Sequence, residues 1–135
     1  MAGFLTDYSN NRVLDLFYGR VAYTSPAILY IGLSTSSANK AGYVVEPTGG
    51  SYARVTVPND LTRFPVAVAG SKANGVPFTF PAPSASWGSI VSVFVSDALT
   101  GGNILAMADL PTPRAIAGGD QAPAIAAGAL FLSHT

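Results

Sequence analysis

Residues 87–108 read WGSIVSVFVSDALTGGNILAMA, which is two apolar runs joined by a polar turn. The first run, residues 89–96, is rich in β-branched and aromatic residues, and these residue types favour strands. The turn, residues 97–103, contains a pair of glycines that can adopt positive φ angles. Because the second run, residues 104–108, is again apolar, the pattern predicts a β-hairpin.

Two segments upstream of the hairpin also predict strands. Residues 27–34, AILYIGLS, are apolar at nearly every position, which is typical of a strand buried on both faces near the middle of a sheet. Residues 52–57, YARVTV, alternate, with Val55 and Val57 on one face and Arg54 on the other.

Prolines predict where strands are short or interrupted. Residues 61–83 contain four prolines, and a proline lacks the N–H that a sheet ladder needs. Strands in this part of the chain are therefore expected to be short or at edges, with Phe78 and Phe80 as an inward-facing pair. Pro111 and Pro113 predict a break after the hairpin.

The N-terminal segment predicts one helix, from about residue 7 to residue 18. Thr6 is a suitable N-cap, and Asp7 suits the positive end of the helix dipole. Gly19 is a stop signal. Apolar residues recur between them at three- and four-residue steps: Val13, Leu14, Phe17 and Tyr18. Such a stripe serves core packing or contact with another chain equally well, so both alternatives stay open.

The whole pattern predicts a mainly β chain. Seven or eight short strands with regular turn signals are typical of an antiparallel β-sandwich or jelly-roll-like domain, here with one N-terminal α-helix. The 135 residues suit one domain, residues 1–135. Residues 35–51 are polar and contain glycine, which predicts a long loop or exposed arm.

The composition indicates contact with other protein chains. Charged residues make up 10% of the chain against about 25% in an average domain. Lysine and glutamate, which are depleted at interfaces relative to exposed surface, are especially rare. The net charge is zero and no basic run occurs, so no nucleic-acid partner is expected. No uninterrupted apolar stretch reaches 18 residues and no signal peptide opens the chain, so we expect no membrane partner and assembly in the cytoplasm.

The sequence offers little material for catalysis. There is no cysteine, and the only histidine, His134, lies next to the chain end, where fixed geometry is rare. Asp97, Asp109 and Asp120 lie at turns or strand ends, where aspartate usually bonds its own backbone. Aromatic residues at alternating strand positions are more often core than a ligand platform. We therefore expect no enzyme activity, no cofactor and no metal site, and a small hydrolase is disfavoured.

Several segments, in order along nearly the whole chain, resemble a family of small virion proteins of tailed bacteriophages. Members of this family are often labelled tail fibre proteins. Residues 27–35 resemble its "LYVGLST" strand and residues 49–54 its "GGSYAR" segment. The later matches are Phe80-Pro81 with Trp87-Gly88, residues 97–105 with the "DAxTGGNLL" hairpin, and Gly119-Asp120 with Ala127-Gly128.

This resemblance implies a structural role in the virion. Because no coiled-coil or repetitive shaft is present, the class implies by analogy a capsid decoration (cement) protein. Such a protein would sit on the capsid surface, commonly as a homotrimer, and bridge and stabilise major capsid protein subunits. The alternative is a tail fibre, tail-tip or adhesion module that binds a host glycan. The expected partner contacts lie on the N-terminal segment and the long loop: Phe4, Leu5, Val13, Phe17, Tyr43, Val44 and Val45.

Overall fold

The computed structural model describes residues 1–133, which form nine strands and one helix. In chain order these are β1 (Ala2–Leu5), α1 (Asp7–Phe17), β2 (Ile28–Ser34), β3 (Val55–Pro58), β4 (Ser71–Ala73), β5 (Phe78–Thr79), β6 (Gly88–Ser96), β7 (Ile104–Ile116), β8 (Ala124–Ile125) and β9 (Phe131–Ser133). The predicted mainly β class with an N-terminal helix is confirmed. The helix bounds agree with the prediction to within one residue.

Seven of the strands form a single mixed sheet in the order β3-β2-β6-β7-β1-β9-β4, and β5 and β8 form a separate two-stranded ribbon. The predicted hairpin is β6 and β7, which pair antiparallel near the middle of the sheet. Strand β2 pairs with both β3 and β6, as its apolar sequence predicts. The layers are therefore one large sheet and a small ribbon, with a parallel pair, β1 and β9, among antiparallel neighbours.

Strand β7 is longer than predicted, because the two prolines do not end it. The pairing shifts between Ile90 and Ser92, whose partners are Arg114 and Asp109. Residues 110–113 on β7 thus face a single residue of β6, which is a bulge. A bulge needs no ladder N–H from each residue, so Pro111 and Pro113 are accommodated.

The N-terminal strand β1 was not predicted. It lies inside the sheet, antiparallel to β7 and parallel to β9. The Met1 backbone takes part as well, since its amino group donates to the Ala129 carbonyl at 2.7 Å. Four residues, AGFL, carry too little periodicity to indicate a strand, and only the tertiary pairing makes them one.

The main core fills one face of the sheet. It contains the β6 residues Val93 and Val95, and the ribbon adds Phe78 and Ile125. Phe78 and Phe80 are both buried, which confirms the predicted inward-facing pair. Val57 belongs to this core and Val55 packs against it, as their predicted shared face requires. The remaining core members are Leu29, Ile31, Leu33, Phe64, Trp87, Ile90, Ala106, Ala108, Ile116 and Leu130.

A second, smaller cluster lies on the opposite face of the sheet. It consists of Phe94, Ile104 and Met107, with Ala38 and Val44 of the long loop packed against it. The Phe94 ring lies over its cross-strand partner, Gly32. A Cβ at Gly32 would be 2.1 Å from the ring, so only glycine fits under it.

Candidate functional site

The candidate site is an exposed apolar surface, and the helix supplies its largest part. No residue of α1 is buried. Phe17 is 73% exposed and Tyr18 78% exposed, with their ring centroids 6.4 Å apart. Leu14 is exposed too. Of the two alternatives left open by the stripe, core packing therefore does not apply to these three residues.

The inner side of the helix faces a cavity, which we call the helix–sheet groove. Its volume is about 270 Å³. The helix contributes Ser9, Arg12, Val13 and Leu16 to its lining, a spacing of three and four residues that defines one helix face. The sheet floor is apolar: Leu5, Leu29, Val95, Leu105, Ala106 and Leu132.

The start of the helix is fixed to the sheet. Thr6 precedes α1, as predicted, but its side chain makes no cap bond to the helix. Its hydroxyl instead donates to the Ile104 carbonyl at 2.5 Å. Ser9 donates in the same way to the Leu105 carbonyl at 2.7 Å. These bonds hold α1 against β7 and leave its other sides exposed.

The long loop presents a second exposed apolar pair, Tyr43 and Val45. The Asn39 side chain brackets the Tyr43 backbone, because its Nδ2 donates to the Tyr43 carbonyl at 2.8 Å and its Oδ1 accepts from the Tyr43 N–H at 2.9 Å. Val45 is held by a hydrogen bond from its N–H to the Ser34 hydroxyl at 3.0 Å. Val44, between them, packs inward. The loop is therefore a fixed platform.

A buried ion pair anchors the end of this loop. Arg54, 6% exposed, donates from Nε and Nη2 to the two carboxylate oxygens of Glu46, at 2.9 and 2.8 Å. Its Nη1 donates to the Ser96 hydroxyl and to two carbonyls of the β6–β7 turn. The guanidinium also lies 5.0 Å from the centre of the Phe94 ring. Alternation separated Arg54, the residue before β3, from the face of Val55 and Val57, but it did not reveal that Arg54 is buried.

Tyr52 completes this arrangement. Its hydroxyl donates to Glu46 at 2.8 Å and accepts from the Leu33 N–H at 2.9 Å. Burial raises the pKa of Tyr52, and the adjacent Glu46 carboxylate adds to the shift. Burial also raises the pKa of Glu46, but the hydrogen bonds from Arg54 and Tyr52 and the charge of Arg54 outweigh it, so that pKa lies below its usual value.

Two of the segments that carry the family resemblance meet in the structure. Trp87 donates from its indole nitrogen to the Gly50 carbonyl at 2.8 Å. The Tyr52 ring packs edge-on against Trp87, with 5.3 Å between centroids. A Cβ at Gly50, whose φ is +61°, would lie 2.9 Å from the indole nitrogen. These contacts bring the segments GGSYAR and WG together in the fold.

The seven predicted contact residues fall into three groups. Leu5 and Val13 line the groove. Phe17, Tyr43 and Val45 are exposed. Phe4 and Val44 are partly buried and already contact this chain: Lys40 lies 4.9 Å above the Phe4 ring, and Val44 packs on the Phe94 cluster. The structure also exposes Tyr18, which belongs to the predicted helix stripe, and places Arg12 and Leu16 at the groove. These three residues were not among the predicted contacts.

The three aspartates that the sequence places at turns or strand ends accept hydrogen bonds from the backbone. Asp97 accepts from the Asn103 N–H at 2.8 Å, and Asp120 accepts from the Ala117 N–H at 2.8 Å, so both have the predicted turn role. Asp109 instead accepts from the Ala38 N–H of the long loop at 2.8 Å. Within residues 1–133, no three acidic or histidine side chains are grouped to hold a metal ion. His134 lies outside the described residues.

A β-rich body with fixed, exposed apolar surfaces is typical of structural proteins that function through contact with other chains. The family model for the podophage GP4 fiber I protein gp80 matches residues 4–133, and the chain belongs to this family. The resemblance to phage virion structural proteins is thereby confirmed, and the chain is a virion-associated, fibre-type structural protein. No curated protein matches the chain. Across residues 1–133, no helix combines the length and apolar character needed to cross a bilayer.

Proposed function

We propose that the chain is a non-enzymatic decoration protein that lies on the phage capsid surface and bridges major capsid protein subunits. The observation that carries the proposal is the exposed aromatic pair of the helix, Phe17 and Tyr18, on a chain of zero net charge. Aromatic residues are enriched at the centres of protein interfaces, and charged residues are depleted there.

The shape of the molecule supports a decoration role. Its accessible surface is 7044 Å². A compact monomer of 13.8 kDa is expected to expose about 6,600 Å². The described part of the chain is therefore a compact body without an elongated shaft. Such a body covers a junction between shell subunits more readily than it spans a distance.

In the proposed mechanism, a chain that bridges two shell subunits adds contact area between them. This added contact must be broken before the subunits separate. A standard specific interface buries about 1,200–2,000 Å² in total. Binding to the assembled shell, and not to separated subunits, stabilises the shell by mass action. We assign the contacts to the helix face and the loop platform, Phe17, Tyr18, Tyr43 and Val45, with Phe4, Leu5, Val13 and Val44 beside them. We also propose that the chain acts as a homotrimer, by analogy with other decoration proteins.

A second candidate is a subunit of a tail fibre. The description of the family as a fibre protein favours it. The same apolar surfaces would then attach the chain to other tail proteins, or present it to a host glycan. The two candidates differ in location, so an image of the particle separates them.

The decisive experiment is cryo-electron microscopy of the purified virion at side-chain resolution. The decoration proposal expects density for this fold over the joints between capsid subunits, in groups of three. Density confined to the tail would overturn it in favour of the fibre.

A binding assay tests the surface itself. Phe17→Ser with Tyr18→Ser should reduce binding of the purified chain to stripped capsids by at least about tenfold, which corresponds to 1.4 kcal/mol. The matched control is Val68→Ser, because Val68 is 74% exposed and lies on a different part of the surface, the turn before β4. Equal binding by all variants would contradict the assignment of the helix face.

A further inference from the structure

The helix–sheet groove is apolar but carries positive charge. Its lining includes two cations, Arg12 and Lys72. No carboxylate from residues 1–133 lines it. The ion pairs of the described residues are Arg54 with Glu46 and Arg63 with Asp60, so neither groove cation is neutralised in this way.

Both cations are held in place. The Arg12 guanidinium lies 5.1 Å from the centre of the Tyr8 ring and 6.0 Å from that of Tyr23. Lys72 donates one hydrogen bond, to the Phe64 carbonyl at 3.1 Å. An ammonium group has three donors and a guanidinium has five. Donors are therefore available on both side chains for an anionic group that enters the groove.

We propose that the groove receives a segment of a neighbouring virion protein, which inserts an aliphatic side chain and places a carboxylate beside Arg12 and Lys72. This inference rests on the proposed function, since it names the chemistry of the partner. The apolar floor selects the aliphatic group, and the unneutralised cations select the acidic residue by charge complementarity.

The size of the groove favours an inserted side chain over a free ligand. Its volume of about 270 Å³ lies just below the range of roughly 300–1,000 Å³ for small-molecule sites. One or two aliphatic side chains fill such a space, whereas a long acyl chain needs more room. Insertion would also cover Leu16, which is half exposed and lies at the groove edge.

Photo-crosslinking in the intact particle tests the occupant directly. A benzophenone amino acid replaces Leu16, and the matched control replaces Thr112. Thr112 is exposed and lies about 20 Å along β7 from the groove residue Ala106. The expected product joins position 16 to a segment of another virion protein that contains an aliphatic residue within a few positions of an aspartate or glutamate. The Thr112 variant should not yield that product.

Charge reversal tests the cations. Arg12→Glu should weaken binding of the chain to stripped particles by at least about tenfold, whereas Arg114→Glu, the same charge change outside the groove, should not. The proposal is overturned if the two variants bind equally. It is also overturned if position 16 links to a second copy of this chain, to a lipid or to nothing.

The failure of this proposal is distinguishable from failure of the proposed function. If the wild-type chain occupies the capsid but the groove variants behave as their controls do, only the groove assignment fails. If the wild-type chain is missing from the capsid, the decoration function fails, and a tail location with the expected crosslink would keep the groove assignment.

Discussion

Arg54 joins the long loop to the end of β6 and the turn that follows it, which lie more than 40 residues further along the chain. It pairs with Glu46 at the end of the long loop, donates to Ser96 at the end of β6, and reaches the Gly101 carbonyl in the turn before β7. A buried guanidinium is costly unless it is hydrogen-bonded, and here a carboxylate, a hydroxyl and two carbonyls accept hydrogen bonds from its three nitrogens. The only glutamate of the chain is thus used for internal structure.

Replacement of Arg54 by methionine should destabilise the fold by about 3 kcal/mol, because it leaves the partly buried Glu46 carboxylate without its partner. Equilibrium unfolding in urea measures the change. Arg63→Met is the control, since the pair of Arg63 with Asp60 is exposed and should contribute little. Equal midpoints for the two variants would show that the buried pair does not anchor the loop.

The Glu46 carboxyl should make stability dependent on pH. Hydrogen bonds and the Arg54 charge hold its pKa in the folded state below its usual value of 4.5, despite burial. A lowered pKa contributes stability above pH 4.5, and this contribution is lost as the pH falls through the folded-state pKa. The free energy of unfolding of the wild type should therefore exceed that of Glu46→Gln at pH 7, and the difference should shrink on acidification. A difference that is constant from pH 7 to pH 3 would contradict this assignment.

At the scale of elements, the sheet is the rigid part and the helix is the peripheral part. Strand β6 is buried over most of its length and pairs on both sides. Helix α1 has no buried residue and is held mainly by Thr6 and Ser9. Local stability follows the burial of apolar contacts, so it should be lowest in the helix.

Amide hydrogen exchange should report this difference. We expect residues 7–27 to exchange by local opening and β6 with β7 to exchange only on global unfolding, which mass spectrometry of proteolytic fragments measures. On the assembled particle, protection of residues 7–27 should rise, because the proposed interface covers the helix. Protection of the helix equal to that of β6 in the free chain would contradict the peripheral role.

The sequence predicted the elements whose patterns are local. The hairpin of β6 and β7, strand β2 and helix α1 each carry a strong local pattern of apolar residues and clear end signals. Strand β1 and the passage of β7 through Pro111 and Pro113 were missed, because both depend on pairing with distant residues. The stripe grouped the apolar residues of the helix but left open whether they are buried or exposed. The groove was not predicted, since Lys72 and Arg12 line one cavity only in the folded chain.

At the scale of the whole molecule, the chain has a complete buried core and, separately, exposed apolar residues. The core of one chain is already closed by the ribbon, so the fold does not need a partner to bury its main apolar cluster. The exposed residues Phe17, Tyr18 and Tyr43 remain apolar surface that a partner can cover. The chain therefore combines a self-sufficient body with a surface suited to later assembly.

Removal of the chain should lower the temperature at which the particle releases its DNA. In the proposed decoration role, each bound copy would stabilise the shell by mass action, and many copies would act together. Heating of wild-type and deletion particles with a DNA-binding dye measures the release temperature. Purified wild-type chain added back to the deletion particles should restore it, whereas the Phe17→Ser, Tyr18→Ser variant should not. Because a fibre subunit bears no load from the packaged DNA, identical release temperatures with and without the chain would place its function in the tail.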